Sequence, residues 1–148
     1  MKVYPNLHFV VQDISTDMMS SGDSEADTRN RVTYMKHDFF NPQPILDADV
    51  YLIRQCIHNW DDSNAVKILR AFVPALEKCR PFTPLLINDT ILPSIGSITR
   101  FEEHTIRQMD IAMLLQVGSK QRNVEEFREL LKQADVRYKV GIPIFDSD

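Results

Sequence analysis

The chain has 148 residues, enough for one domain with a modest hydrophobic core. Apolar residues make up 43% and charged residues 26%, the balance of an ordinary soluble globular protein. The formal net charge is −4 with no cluster of Lys and Arg, which argues against nucleic acid as a partner, and no stretch approaches the roughly 18 apolar residues that would make it a membrane protein.

Met1 to Pro5 opens the chain without the apolar run of a signal peptide, so a cytoplasmic location is expected. Cys56 and Cys79 have no C-x-x-C spacing and read as two reduced thiols. Leu7 to Gln12 is a short, partly β-branched apolar run ending on Asp13, and it predicts a buried strand. Residues 20 to 30 predict a polar loop. Val32 to Lys36 predicts a second strand, closing on His37-Asp38-Phe39-Phe40 before Asn41-Pro42-Gln43-Pro44 breaks the chain. Asp49 to Ile53 predicts a third strand, running on towards Cys56.

A helix is predicted from Asp61, where Asp61 or Ser63 can cap its start. Val66, Leu69, Val73 and Leu76 form its apolar stripe, and Pro74 interrupts it near the end. Leu85 to Ile91 predicts a fourth strand. Residues 101 to 117 predict a second helix, with Ile106, Met109, Met113, Leu114 and Val117 on its inner face. Asp110 lies on that same face, where a carboxylate must be paired or protonated; a structural hydrogen bond and a substrate contact both remain open. Met109 and Met113 can serve core packing or line a substrate pocket. A third helix begins after Asn123, which forms a capping-box pair with Glu126, and Phe127, Leu130, Leu131 and Ala134 make its stripe. Val136 to Ile144 predicts a last strand. Strands alternating with helices give an α/β fold with a mostly parallel sheet.

In such sheets ligands collect beyond the carboxyl ends of the strands. Four features fall there: Asp13, His37 to Phe40, His58-Asn59-Trp60, and Asn88-Asp89. Each taken singly has a plainer explanation as a turn former, a cap or packing. Their order is more specific. Val10-Val11-Gln12-Asp13, His37-Asp38-Phe39-Phe40 and Asp49 to Arg54 are followed by Ile57 to Asp62, Ile87 to Pro93 and Lys120-Gln121-Arg122. In that sequence of motifs, from about Tyr4 to Pro143, the chain resembles the plant and fungal small-molecule O-methyltransferase family.

The resemblance implies a Rossmann-like class I methyltransferase sheet flanked by helices, with residues 1–148 forming part of a catalytic domain. It implies S-adenosyl-L-methionine as cofactor and a hydroxyl of a phenolic or related secondary metabolite as acceptor. Asp13 matches the acid that accepts hydrogen bonds from the ribose hydroxyls, a task suited to two carboxylate oxygens. Asp38 matches the acidic position by the adenine, Phe39 the side chain packing on that base, and Arg54 a basic position closing the pocket. His58 matches the catalytic base that takes the proton of the attacking hydroxyl. The family flanks this histidine with two acidic positions. Asp89 matches the first, one carbon shorter than the frequent Glu, and Gln121 matches the second without its charge. Methyl transfer from a sulfonium needs no metal, and the four histidines show no metal-ligand spacing.

The family's first strand and glycine-rich loop would precede Tyr4, and its last strand would follow Asp148. Their absence predicts open inner sheet edges, and a chain that lacks cofactor binding until the upstream region is restored. The implied partners are the small-molecule acceptor and, through the open edge, a second copy or a full-length relative. Two other classes stay open: a non-catalytic remnant acting through protein partners, and a methyltransferase-like enzyme that catalyses a rearrangement instead.

Overall fold

The computed structural model describes residues 6–15 and 31–141. The chain divides into two compact units, Met1–Asn41 and Pro42–Asp148. In the first, β1 (Phe9–Asp13) and β2 (Val32–Lys36) pair in parallel, with Phe9 opposite Val32 and Asp13 opposite Lys36. The His37 N–H donates to the Asp13 carbonyl at 2.9 Å and carries the ladder past the strand ends. The apolar run of β1 predicts burial, but Phe9, Val10 and Val11 remain 40–46% exposed. Burial of a parallel strand requires layers on both of its faces and neighbours on both edges, and among the described residues β1 has a single hydrogen-bonded neighbour. The predicted polar loop at residues 20 to 30 lies outside the described residues.

In the second unit β3 (Tyr51–Arg54) pairs in parallel with β4 (Leu85–Asn88), Arg54 standing opposite Asn88. Tyr51 and Ile53 are buried while Leu52 and Arg54 are exposed, so one face of β3 carries the core. The Tyr51 ring meets Phe72 edge-on at 5.5 Å, and its hydroxyl donates to the Ile45 carbonyl at 2.6 Å. Between the strands runs α1 (Asp62–Ala71), capped by Asp61, which accepts from the Asn64 N–H at 2.8 Å. Its buried face is Ala65, Val66, Ile68 and Leu69. The helix ends before Pro74, and α2 (Val73–Leu76) restarts with that proline in its first turn, where a missing N–H is tolerated.

α4 (Val124–Ala134) packs on α1 through Phe127, Leu130 and Ala134, and the predicted capping box of Asn123 with Glu126 is formed. Arg70 of α1 donates to the carbonyls of Gln133 (2.8 Å) and Ala134 (3.2 Å), groups that the end of α4 leaves unpaired.

Two further expectations fail. α3 (Arg100–Val117), capped by Thr99, has no buried residue at all, and Leu114 of its predicted inner face is 61% exposed. An apolar stripe states that a face needs a neighbour. It does not supply one, and the element α3 meets most is the short turn Ile57–Asn59. Residues 136–141 form no strand. Instead Arg137 pairs with Asp135 and Glu77, and the Tyr138 hydroxyl donates to the Leu69 carbonyl at 2.8 Å, so this segment is tied to helices. Residues 142–144 lie outside the described residues. Both sheets are parallel and helices separate β3 from β4, so the fold is α/β as predicted.

Candidate active site

β3 ends at Arg54, and Gln55 follows with a positive φ of 47°. A side chain in that left-handed region costs roughly 1–2 kcal/mol and persists where the surroundings demand it. Here the Gln55 N–H donates to the Asn88 carbonyl at 2.9 Å, continuing the ladder while the chain turns. A single 3-10 turn, Ile57–Asn59, comes next, and Ile57 is fully buried. That burial fixes His58 beside it. β4 ends at Asn88, so Asp89 is the first residue beyond it. Parallel pairing therefore delivers His58 and Asp89 to the same carboxyl edge, where open α/β sheets place their sites.

His58 Nδ1 stands 3.5 Å from Asp89 Oδ1, and the Asp89 side chain is only 1% exposed. The Cys56 N–H donates to the same oxygen at 3.1 Å. Burial pushes the Asp89 carboxyl above the usual carboxylate range. The His58 charge and the N–H groups of Cys56, His58 and Ile57 pull the other way. Burial and the Asp89 charge raise the Cys56 thiol in turn, against a lowering contact from Trp60. A separation of 3.5 Å is longer than an ordinary N–H···O bond, so histidine and carboxylate face each other without a closed hydrogen bond. A small ring movement would close it, as happens when catalytic contacts tighten around a ligand.

Among the described residues, the buried side-chain polar atoms without a hydrogen-bond partner are His58 Nδ1, Asp89 Oδ2 and both amide atoms of Gln121. Such atoms cost about 1–3 kcal/mol each, so their concentration on three residues marks a place built for something other than stability. Gln121 is 1% exposed, and its backbone N–H donates to Asp110 Oδ1 at 2.7 Å. Of the two roles open for Asp110, the structural hydrogen bond is the one formed. Met109 is 40% exposed, so it does not pack in the core.

Motif reasoning quoted Arg122 within Lys120-Gln121-Arg122 without giving it a role, and passed over Ser119. The Arg122 guanidinium donates to the carbonyls of Ile57 (3.1 Å) and Trp60 (2.7 Å) and to Asp62 Oδ1 (2.9 and 2.8 Å). The Ser119 hydroxyl adds a bond to the Trp60 carbonyl at 2.6 Å. Their acceptors lie 59 to 65 residues away in sequence, so no local pattern marks them.

In the first unit the parallel register sets the end of β1 beside that of β2, which brings Asp13 next to His37-Asp38-Phe39. Asp13 Oδ1 accepts from the Ser15 N–H (2.9 Å) and Asp38 Oδ1 from the Phe40 N–H (3.0 Å), each organising its own turn. A carboxylate offers about four acceptor sites, so these turns leave capacity for hydroxyl donors. Half-buried Phe39 packs on Phe40 at 5.1 Å and offers an aromatic surface nearby. Two acceptors and an aromatic ring at one strand edge suit a nucleoside. Arg54 is exposed at the end of β3 in the second unit. The described residues hold no group of three or more His, Cys, Asp or Glu placed for a metal ion, and no helix among them is long and apolar enough to cross a membrane.

Parallel strands carrying polar residues at their carboxyl edge define a Rossmann-like protein of the class I methyltransferase kind. Two solved structures share the fold: methyltransferase CalO6 (TM-score 0.73, 26% identity, 90% of this chain and 44% of that one) and a pericyclic reaction enzyme (TM-score 0.71, 24% identity, 90% and 32%). The chain belongs to the O-methyltransferase domain family, whose model matches residues 1–137. It is 51% identical over 139 residues to O-methyltransferase sol2 of Alternaria solani, covering 93% of this chain and 33% of that protein. The chain thus spans about a third of the length of the curated relatives it matches.

Proposed function

We propose that this chain provides the base and the nucleoside-binding acids of an S-adenosylmethionine-dependent O-methyltransferase acting on a hydroxyl of a phenolic or related secondary metabolite. The observation that carries this reading is the buried Asp89 carboxylate 3.5 Å behind Nδ1 of His58. With Nδ1–H turned to that carboxylate, the Nε2 lone pair is free to take a proton. A neutral hydroxyl attacks carbon poorly, and His58 would take its proton as the methyl group passes to the oxygen and the sulfur it leaves becomes a neutral thioether. Asp89 then stabilises the imidazolium, while Gln121 can support the ring by hydrogen bonding but adds no charge. Asp13 would accept from the ribose hydroxyls and Asp38 and Phe39 would hold the adenine, with Arg54 assigned to the cofactor from the second unit. The cofactor supplies a methyl group activated by a cationic sulfur, so the transfer calls for no metal.

A chimera tests this: the matching third of O-methyltransferase sol2 is replaced by this chain, and transfer of labelled methyl to that enzyme's acceptor is followed. Transfer by the chimera is expected, with His58→Ala lowering kcat about a hundred- to ten-thousand-fold at little changed cofactor affinity. Gln121→Glu should raise the rate by restoring charge beside the imidazolium. An unaffected His58→Ala chimera would force the base to be reassigned.

The uncharged Gln121 favours one further reading, an enzyme of this fold that rearranges its substrate without methyl transfer. Product formed with no label incorporated would decide for it.

A further inference from the structure

We propose that Arg122 is a positioning residue, a clamp that holds the His58 turn against the Asp89 segment and so sets which imidazole nitrogen carries the proton. Its side chain is 0% exposed. The two carbonyls it binds belong to Ile57 and Trp60, one residue before His58 and two after it. Ile57 opens the single turn, its carbonyl also accepting the Trp60 N–H at 3.1 Å, and Trp60 caps it, so the guanidinium grips the turn at both ends from one side. The backbone of Arg122 serves the other half of the site. Its carbonyl accepts from the Leu92 N–H at 2.9 Å, and it forms a parallel bridge with Ile91, two residues beyond Asp89. One residue thus ties together the two segments whose side chains must meet.

A bland role as a buried ion pair fits less well. The partner carboxylate of Asp62 is 56% exposed, while desolvating a guanidinium is costly, so this pair is a poor device for stability alone. Planar donors in a fixed fork are suited to hold several spread acceptors in register, which the compact, freely rotating ammonium of lysine does less well.

The proposal rests on His58 as base for its catalytic meaning, but its test does not need turnover. In the full chain with ¹⁵N-labelled histidine rings, the nitrogen shifts at pH 8 report the His58 tautomer. The native chain should show mainly Nδ1–H. Arg122→Met should move the ratio toward that of free imidazole, and Arg122→Lys should fall between. Asp62→Ala, which leaves the guanidinium in place and opens no cavity, should move it less but in the same direction. Amide dispersion establishes that each variant is folded. If Arg122→Met does not fold, the Asp62→Ala result decides. A folded Arg122→Met with the native tautomer, a lowered melting temperature with that tautomer unchanged, or native His58 in the Nε2–H form would each overturn the clamp. Full activity of the His58→Ala chimera would remove the base assignment and leave this outcome standing.

Discussion

Asp89 holds its carboxylate where solvent cannot reach it, and the N–H groups around it offset only part of that burden. Because the folded state raises this group above its ordinary value of 3.8, folding binds the Asp89 proton more tightly than the unfolded chain does. The stability linked to that proton is complete below 3.8 and is lost as pH rises through the folded value. Asp89→Asn keeps an acceptor for the Cys56 N–H and carries no charge. The variant should therefore melt with the native chain at low pH and above it at pH 8. Melting curves across pH 4 to 8 check this, and a variant less stable at pH 8 than at pH 4, relative to the native chain, would refute it. His58 and Asp89 were recognisable from their motifs. Their 3.5 Å approach was not, because it depends on where two strands 30 residues apart end side by side.

Local signals were clearest at helix ends. Asn123 with Glu126 announced α4, and both reciprocal bonds of the box are formed at 2.9 Å. Asn123→Ala removes the acceptor for the Glu126 N–H and should cost about 1 kcal/mol of stability in urea titration. A loss below a few tenths would mean that packing of Phe127 and Leu130 alone sets the start of α4. Pro74 and Asp61 were equally readable, because caps and prolines act within one turn. α3 shows where such signals stop. Its cap at Thr99 and its left-handed end at Gly118 are local and complete, yet the burial of its stripe depends on elements that periodicity cannot name.

At the scale of the molecule, the described residues form two two-stranded sheets, and among them each strand is paired along one edge only. Exposed Val10, Val11, Leu52 and Leu86 lie on those strands, with no proline among them. Edges of this kind are templates for pairing between chains, so the full chain should self-associate. Light scattering coupled to size exclusion over a concentration series should show mass rising with concentration, and a monomer at every concentration would overturn the expectation. The α/β class, the parallel strands and the family were all legible in residue order, because hydrophobic runs, caps and strand-end motifs are written within a few positions of one another. The Arg122 contacts, the hydrogen bond of Asp110 to Gln121, and the exposure of α3 and β1 emerged from folding alone. Those depend on partners many residues distant or on the number of layers covering a face, and neither quantity is carried by any local stretch of chain.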